Sequence, residues 1–149
     1  MNTRTGQFFV CKIQYDKTQE DGTQKKVTEQ YAIDAITFTE AEERTTKEMS
    51  EYISGEFDVK DISFAPFGEI LFGNGDFWYK AKVVFLSIDE RTGKEKRSGY
   101  TYLVQADTIK SAVKAIDTFM NDAIIDYRIQ SICETKIVDV IQLKSDNDG

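Results

Sequence analysis

One pattern is written twice along this chain, and the repetition constrains the fold more than any single motif. Residues 30–43, "QYAIDAITFTEAEE", and residues 101–114, "TYLVQADTIKSAVK", share an order: tyrosine, apolar residues, alanine, a helix start, a second alanine. The overlay extends past this corner. Cys11 meets Ala81 and Tyr15 meets Phe85, 70 positions on. From Gly22 and Gly93 the offset is 71, and it pairs Tyr31 with Tyr102, Thr37 with Thr108 and Met49 with Met120. It returns to 70 for Phe57 with Tyr127, Ile62 with Ile132 and Ile70 with Val140. An offset of 70 to 71 held across five elements, with a one-residue slip that enters at a hairpin and is reversed past the helix, predicts a duplicated unit.

Each copy reads as strand, strand, helix, strand. Phe9, Cys11, Ile13 and Tyr15 alternate with polar residues, the period-two signature of a half-buried strand. A polar stretch with one glycine then predicts a hairpin loop, and Tyr31, Ile33 and Ala35 resume the alternation. Thr37 with Glu40 fits a capping box, and Ala41, Thr45, Met49 and Tyr52 form a helical stripe. Gly55 suits the helix end. A third strand runs to about Pro66, and residues 70–72 predict a short fourth. The second copy repeats this from Phe77, with Ile109, Ala112, Ile116 and Met120 on its helical stripe and residues 137–143 as its last strand.

The expected fold is therefore α+β. Tandem ββαβ(β) units, residues 1–75 and 76–149, form one compact pseudo-symmetric body of mainly antiparallel sheet with two helices. The junction "FGNGD" is too short for a free linker.

Composition narrows the chemistry. With 149 residues, 40% hydrophobic and 30% charged, the chain can bury a core without staples. No apolar run approaches a membrane span, and the first ten residues lack the apolar core of a signal peptide. A cytoplasmic location is expected, with no membrane partner. There is no histidine, which removes Ser-His-Asp and Cys-His nucleophile activation and every histidine-containing zinc site. Cys11 and Cys133 form no CxxC motif and read as buried, reduced thiols. No cofactor and no metal site are expected, and no catalytic residue is assigned.

The net charge of −7 disfavours a broad nucleic-acid surface but leaves room for a local basic patch. Two hairpin tips are basic: Lys25 and Lys26 in the first copy, and Arg91, Lys94, Lys96 and Arg97 in the second. Such tips can grip a phosphate backbone; charged tips also discourage edge-to-edge pairing of strands. Phe8, Trp78 and Tyr100 are candidates for an interaction surface. Adjacent aromatics in "FWYK" face opposite sides of a strand, so one side is exposed unless both sheet faces are covered. Glu40, Glu42 and Glu43 are explained by a helix N-terminus, where the dipole favours negative charge. "GNG" at residues 73–75 lacks the strand–GxxxxGK–helix context of a phosphate loop and reads as a turn.

The stretches "FFVCKIQYDK", "GTQKKVTEQYAIDAITFTEAE", "ISGEFDV", "FWYKAK" and "YLVQAD" together resemble an uncharacterised family of about this length, found in Bacteroidetes and in their phages and mobile elements. That resemblance spans nearly the whole chain. It implies a source and no catalytic residues, because the family carries no assigned activity. In architecture alone, a strand ending in alanine before a capped helix with Glu-Ala, inside ββαβ, is similar to the duplicated LX-type proteins of the large ribosomal subunit. Those are basic and bind RNA, whereas this chain is acidic.

The combined expectation is an uncharacterised, non-enzymatic protein that binds a macromolecule or self-assembles, with a protein partner or a second copy of itself. Nucleic acid held by the basic hairpin tips is one alternative. A small ligand in a pocket between the two halves is another.

Overall fold

Period-two alternation becomes strand wherever the sequence carries it. A computed structural model describes residues 2–4 and 7–142. Its elements, in chain order, are β1 (Asn2–Arg4), β2 (Phe8–Thr18), β3 (Gln24–Asp34), α1 (Phe38–Tyr52), β4 (Phe57–Ala65) and β5 (Phe67–Phe72), then β6 (Phe77–Ile88), β7 (Glu95–Ala106), α2 (Ile109–Phe119), β8 (Asp126–Glu134) and β9 (Ile137–Ile141). Leu143, the expected end of the last strand, and the polar tail lie outside the described residues.

The strands form two mainly antiparallel sheets, ordered β4-β2-β3-β9 and β1-β5-β7-β6-β8. Each belongs to its own compact unit. Of the described residues, the α1 unit holds Gln7–Pro66 and 136–142; the α2 unit holds Phe67–Thr135 and β1.

The sheets do not divide at residue 75. β5 pairs parallel with β7 in the α2 unit, and β9 pairs parallel with β3 in the α1 unit. Pro66 marks the first crossing. It has no amide to donate, so it ends the β4 ladder, and the chain continues in the other sheet.

In the α1 unit the helix buries Ala41, Thr45 and Met49, and the core beneath joins Ala41 to Phe9, Cys11, Ile33 and Ala35. In the α2 unit Ala112, Ile116 and Met120 pack on Tyr79, Ala81, Val83, Tyr102 and Val104. Each fully buried Val, Leu or Ile contributes about 1.5–3 kcal/mol. Helix and hairpin therefore stand or fall together in each unit.

The helix starts differ in detail. Thr37 Oγ1 accepts from the Glu40 amide at 3.1 Å, but the Glu40 side chain turns to Arg44 rather than back to the cap. The capping box expected at Thr37 and Glu40 is therefore half formed. A reciprocal box closes instead at Thr108 and Ser111: the Ser111 amide donates to Thr108 Oγ1 at 3.0 Å, and the Thr108 amide to Ser111 Oγ at 3.1 Å. At the end of α1 it is Ile53, not Gly55, that caps, its amide donating to the Met49 carbonyl at 2.8 Å.

The hairpins explain the change of offset from 70 to 71. Gln19 and Thr23 close the first loop, and the Gly22 amide donates to the Gln19 carbonyl at 3.0 Å. Asp89 and Lys94 close the second, one residue longer, with the Gly93 amide on the Asp89 carbonyl at 2.7 Å. Gly22 and Gly93 both have positive φ, +86° and +71°, a conformation that costs glycine little.

Candidate functional site

In the α2 unit the helix covers only one sheet face. Residues of the opposite phase form a helix-free face, and register decides which of them meet. Val84 in β6 lies opposite Gly99 in β7 and Arg128 in β8. Lys82, two residues back along β6, lies opposite Thr101 and Ser131, and Leu86, two residues on, lies opposite Arg97. Three neighbouring strands thus place Lys82, Arg97 and Arg128 around a floor made by Val84 and Gly99. Adjacent strands are about 4.8 Å apart, and alternate residues on one strand about 7 Å apart.

These residues, with Gln130, line a concavity of about 370 Å³. Gly99 makes it possible: a Cβ there would come within 3.3 Å of the Lys82 Cε. No aspartate or glutamate lines it. Among the described residues Lys82 and Arg128 have no ion-pair partner. Arg97 meets Glu95 at 3.1 Å, but both side chains are more than half exposed, so the pair is weak and easily exchanged.

The equivalent face of the α1 unit is built in the same register with other side chains. Gln14 lies opposite Thr28 and Asp58, and its amide donates to Thr28 Oγ1 at 3.4 Å. Lys12 lies opposite Asp61, and Asp16 opposite Lys26. Lys12 and Lys26 thus each lie opposite an acid on the neighbouring strand, and Lys60 lies 3.9 Å from Asp58 on its own strand.

Of the expected basic residues, Arg97 alone lines the concavity. Arg91 and Lys94 stand exposed in the β6–β7 loop, and Lys96 lies beside Arg97 on β7 with the opposite phase. Lys25 and Lys26 are exposed on β3, in the other unit.

Two expected surface aromatics are in fact buried. Phe8 is fully buried and Trp78 is 2% exposed. Alternation places them opposite Phe9 and Tyr79, but at this end of each strand both faces are covered. Trp78 meets the Phe72 ring edge-on at 5.6 Å, and its carbonyl accepts from the Thr135 amide and hydroxyl, each at 2.8 Å. Tyr100 is 49% exposed and stands edge-on to Phe85 at 5.4 Å.

The cysteines divide too. Cys11 is buried, with Thr45 Oγ1 donating to its sulfur at 3.2 Å, and burial pushes its thiol above the usual range. Cys133, expected to be buried, is exposed, because Ile132 takes the helix-facing phase of β8 and Cys133 falls opposite Lys80.

Residues 7–143 match a family described as Domain of unknown function (DUF4494). The chain belongs to the DUF4494 family. No curated protein and no solved structure matches it.

Two further features of the DUF4494 chain were not legible beforehand, and both lie in the α1 unit. Tyr15 and Tyr31 both donate to Glu29 Oε1, each at 3.0 Å. Burial, then the adjacent carboxylate, raises both phenols, so neither ionises near neutral pH. The second is an apolar corner, where Ile36, Phe38 and Phe64 are each at least half exposed. Phe38 and Phe64 flank the buried Phe9 ring at 4.8 and 5.6 Å. No helix among the described residues is long and apolar enough to cross a membrane.

Proposed function

We propose that this DUF4494 protein acts by binding rather than by catalysis. Its partner in this reading is nucleic acid, docked by its phosphates on the helix-free face of the α2 unit. The supporting observation is the ring of Lys82, Arg97 and Arg128 around Gly99 and the largely buried Val84. In a chain of net charge −7, distant charges are screened beyond about 8–10 Å, so the three cations outweigh their nearest acids, Glu95 beside Arg97 and Asp126 beside Arg128, in the potential that a phosphate meets. Arginine adds planar, bidentate donors suited to phosphate.

The test is binding of labelled nucleic acid, single-stranded and duplex, at rising salt. Lys82→Glu with Arg128→Glu should abolish binding, while Lys94→Glu with Lys96→Glu should leave most of it. The reverse pattern would return the function to the hairpin tip, and no binding by the unaltered protein would end the reading.

A second reading, self-association, rests on the exposed corner of Ile36, Phe38 and Phe64. It predicts a dimer in sedimentation that Ile36→Ser with Phe38→Ser turns into a monomer. We also infer that the matched element order of the two sheets descends from one duplicated unit. A relative of half this length, pairing with a second copy by exchange of its last strand, is the protein this predicts. The sequence resemblance supports a source in Bacteroidetes, their phages or mobile elements, and we propose a cytoplasmic site of action. Gene neighbourhood and cell fractionation test these.

A further inference from the structure

We infer that the concavity takes an unpaired nucleotide, so that the protein holds single-stranded nucleic acid in preference to duplex. This rests on the nucleic-acid reading above and adds what lies on the floor. The three cations surround the floor on separate sides: Lys82 along β6, Arg97 along β7 and Arg128 across on β8. A phosphate alone needs the cations and no floor. Here the floor is the exposed Gly99 beside the edge of Val84, which is 7% exposed, under a volume of about 370 Å³. That volume is at the small end of ligand sites.

An unpaired base offers a flat apolar face for Val84 and Gly99. It also offers edges for the Gln130 amide and a plane on which an arginine guanidinium can stack. In a duplex the bases are stacked inside and the floor would stay empty, while the acidic remainder of the protein would repel the second strand's phosphates.

The α1 unit supports the assignment by contrast. At the same register positions Thr28 fills the place of Gly99, Gln14 that of Val84 and Asp58 that of Arg128. The same sheet thus tolerates a filled, neutralised face. The Gly99→Thr variant is for that reason expected to fold, since the neighbour it approaches is the flexible end of Lys82.

The experiment is a titration of the full-length protein with a thymidine oligomer of about a dozen nucleotides, within the site sizes of single-strand binders. A duplex of equal length and inorganic polyphosphate serve as comparisons. Three neutralised phosphates predict a slope of log affinity against log salt of about −2 on the single strand. The single strand should bind at least about fivefold tighter than duplex, the lower end of what one stacked base contributes. Gly99→Thr should remove that preference and keep the salt slope, and Arg128→Asp should lower the slope by about 0.7. Circular dichroism checks that both variants fold. Equal binding of single strand and duplex, with both lost in Lys82→Glu, would overturn the inference and leave the nucleic-acid reading standing. So would polyphosphate that binds as tightly as the oligomer. Failure to bind any of the three would remove both.

Discussion

Set side by side, the helix-free faces of the two units share a register and differ in charge. In the α1 unit Lys12 faces Asp61, Asp16 faces Lys26, and Gln14 bonds to Thr28. In the α2 unit the matching positions put Lys82 opposite serine and threonine, Arg97 opposite Leu86, and Arg128 beside a bare glycine across Val84. Exposed side chains away from caps and cores usually change stability by less than about 0.5 kcal/mol. Two units of like register can therefore differ here while each keeps its buried face. The difference teaches where specialisation is inexpensive and, by the same logic, where the two units must still agree.

Agreement is most severe at the strand starts, and breaking it there should have the largest effect. Phe8 and Trp78 stand 70 positions apart at the openings of β2 and β6, and both are buried. Truncating a buried Phe or Trp to Ala costs about 3–5 kcal/mol, from lost burial and the cavity left behind. Phe8→Ala and Trp78→Ala should each lower stability by that amount in urea unfolding followed by circular dichroism. Tyr100→Ala, half exposed on β7, should cost well under either. A loss of less than about 1 kcal/mol for one of the pair, against the usual toll, would mean that the two strand starts are not structural equivalents.

These two residues also mark where sequence reading stops. Alternation reports which phase a side chain takes and is silent on what covers that phase. Alternation puts Phe8 and Trp78 on the faces opposite Phe9 and Tyr79, yet both faces are buried at that end. The hairpin slip at Gly22 and Gly93 was legible because a turn is local, set by a few residues and a positive φ. The exchange of β5 and β9 was not. A parallel pairing is non-local, and a run such as "FGEILF" names no partner strand. The concavity was hidden for the same reason. Lys82, Arg97 and Arg128 are far apart in the chain, and only the β6–β7 and β6–β8 registers bring them to one face. Of these, Arg97 carried a local signal, as part of a basic hairpin.

The helix starts sharpen the comparison at about 1 kcal/mol. Both caps are threonines, and replacing a capping threonine by alanine typically costs about that much. At Thr108 the partner Ser111 returns a bond to the cap; at Thr37 the partner Glu40 pairs with Arg44 instead. Thr37→Ala and Thr108→Ala should be similar in thermal or urea unfolding. Their partners should not be. Ser111→Ala opens the reciprocal box, while Glu40→Ala removes only an i,i+4 pair of about 0.3–0.5 kcal/mol. Equal losses for Ser111→Ala and Glu40→Ala would show that the two corners are capped alike.

The smallest effect concerns the exchanged strands, where Glu69 on β5 and Asp139 on β9 are counterparts. Asp139 is exposed, and its Oδ1 accepts from the Val140 amide at 2.8 Å. Glu69 is half-buried, and its Oε2 is buried with no hydrogen-bond partner among the described residues. Burial therefore raises the Glu69 carboxyl above the ordinary carboxylate range. A group whose folded pKa lies above its unfolded value favours the folded state when protonated. Its contribution is fully present below the unfolded pKa of about 4.3, and it is lost as pH rises through the folded value. As pH rises toward neutral, folding therefore carries an increasing cost for the partly buried Glu69 carboxyl. Glu69→Gln, which removes the charge and keeps the shape, should be more stable than the unaltered protein at neutral pH, by less than a cap is worth. The gain should shrink as pH falls below the unfolded value, where both side chains are neutral. Urea midpoints at the two pH values decide the matter. A gain of equal size at both would mean that packing, not the buried charge, sets Glu69 apart from Asp139.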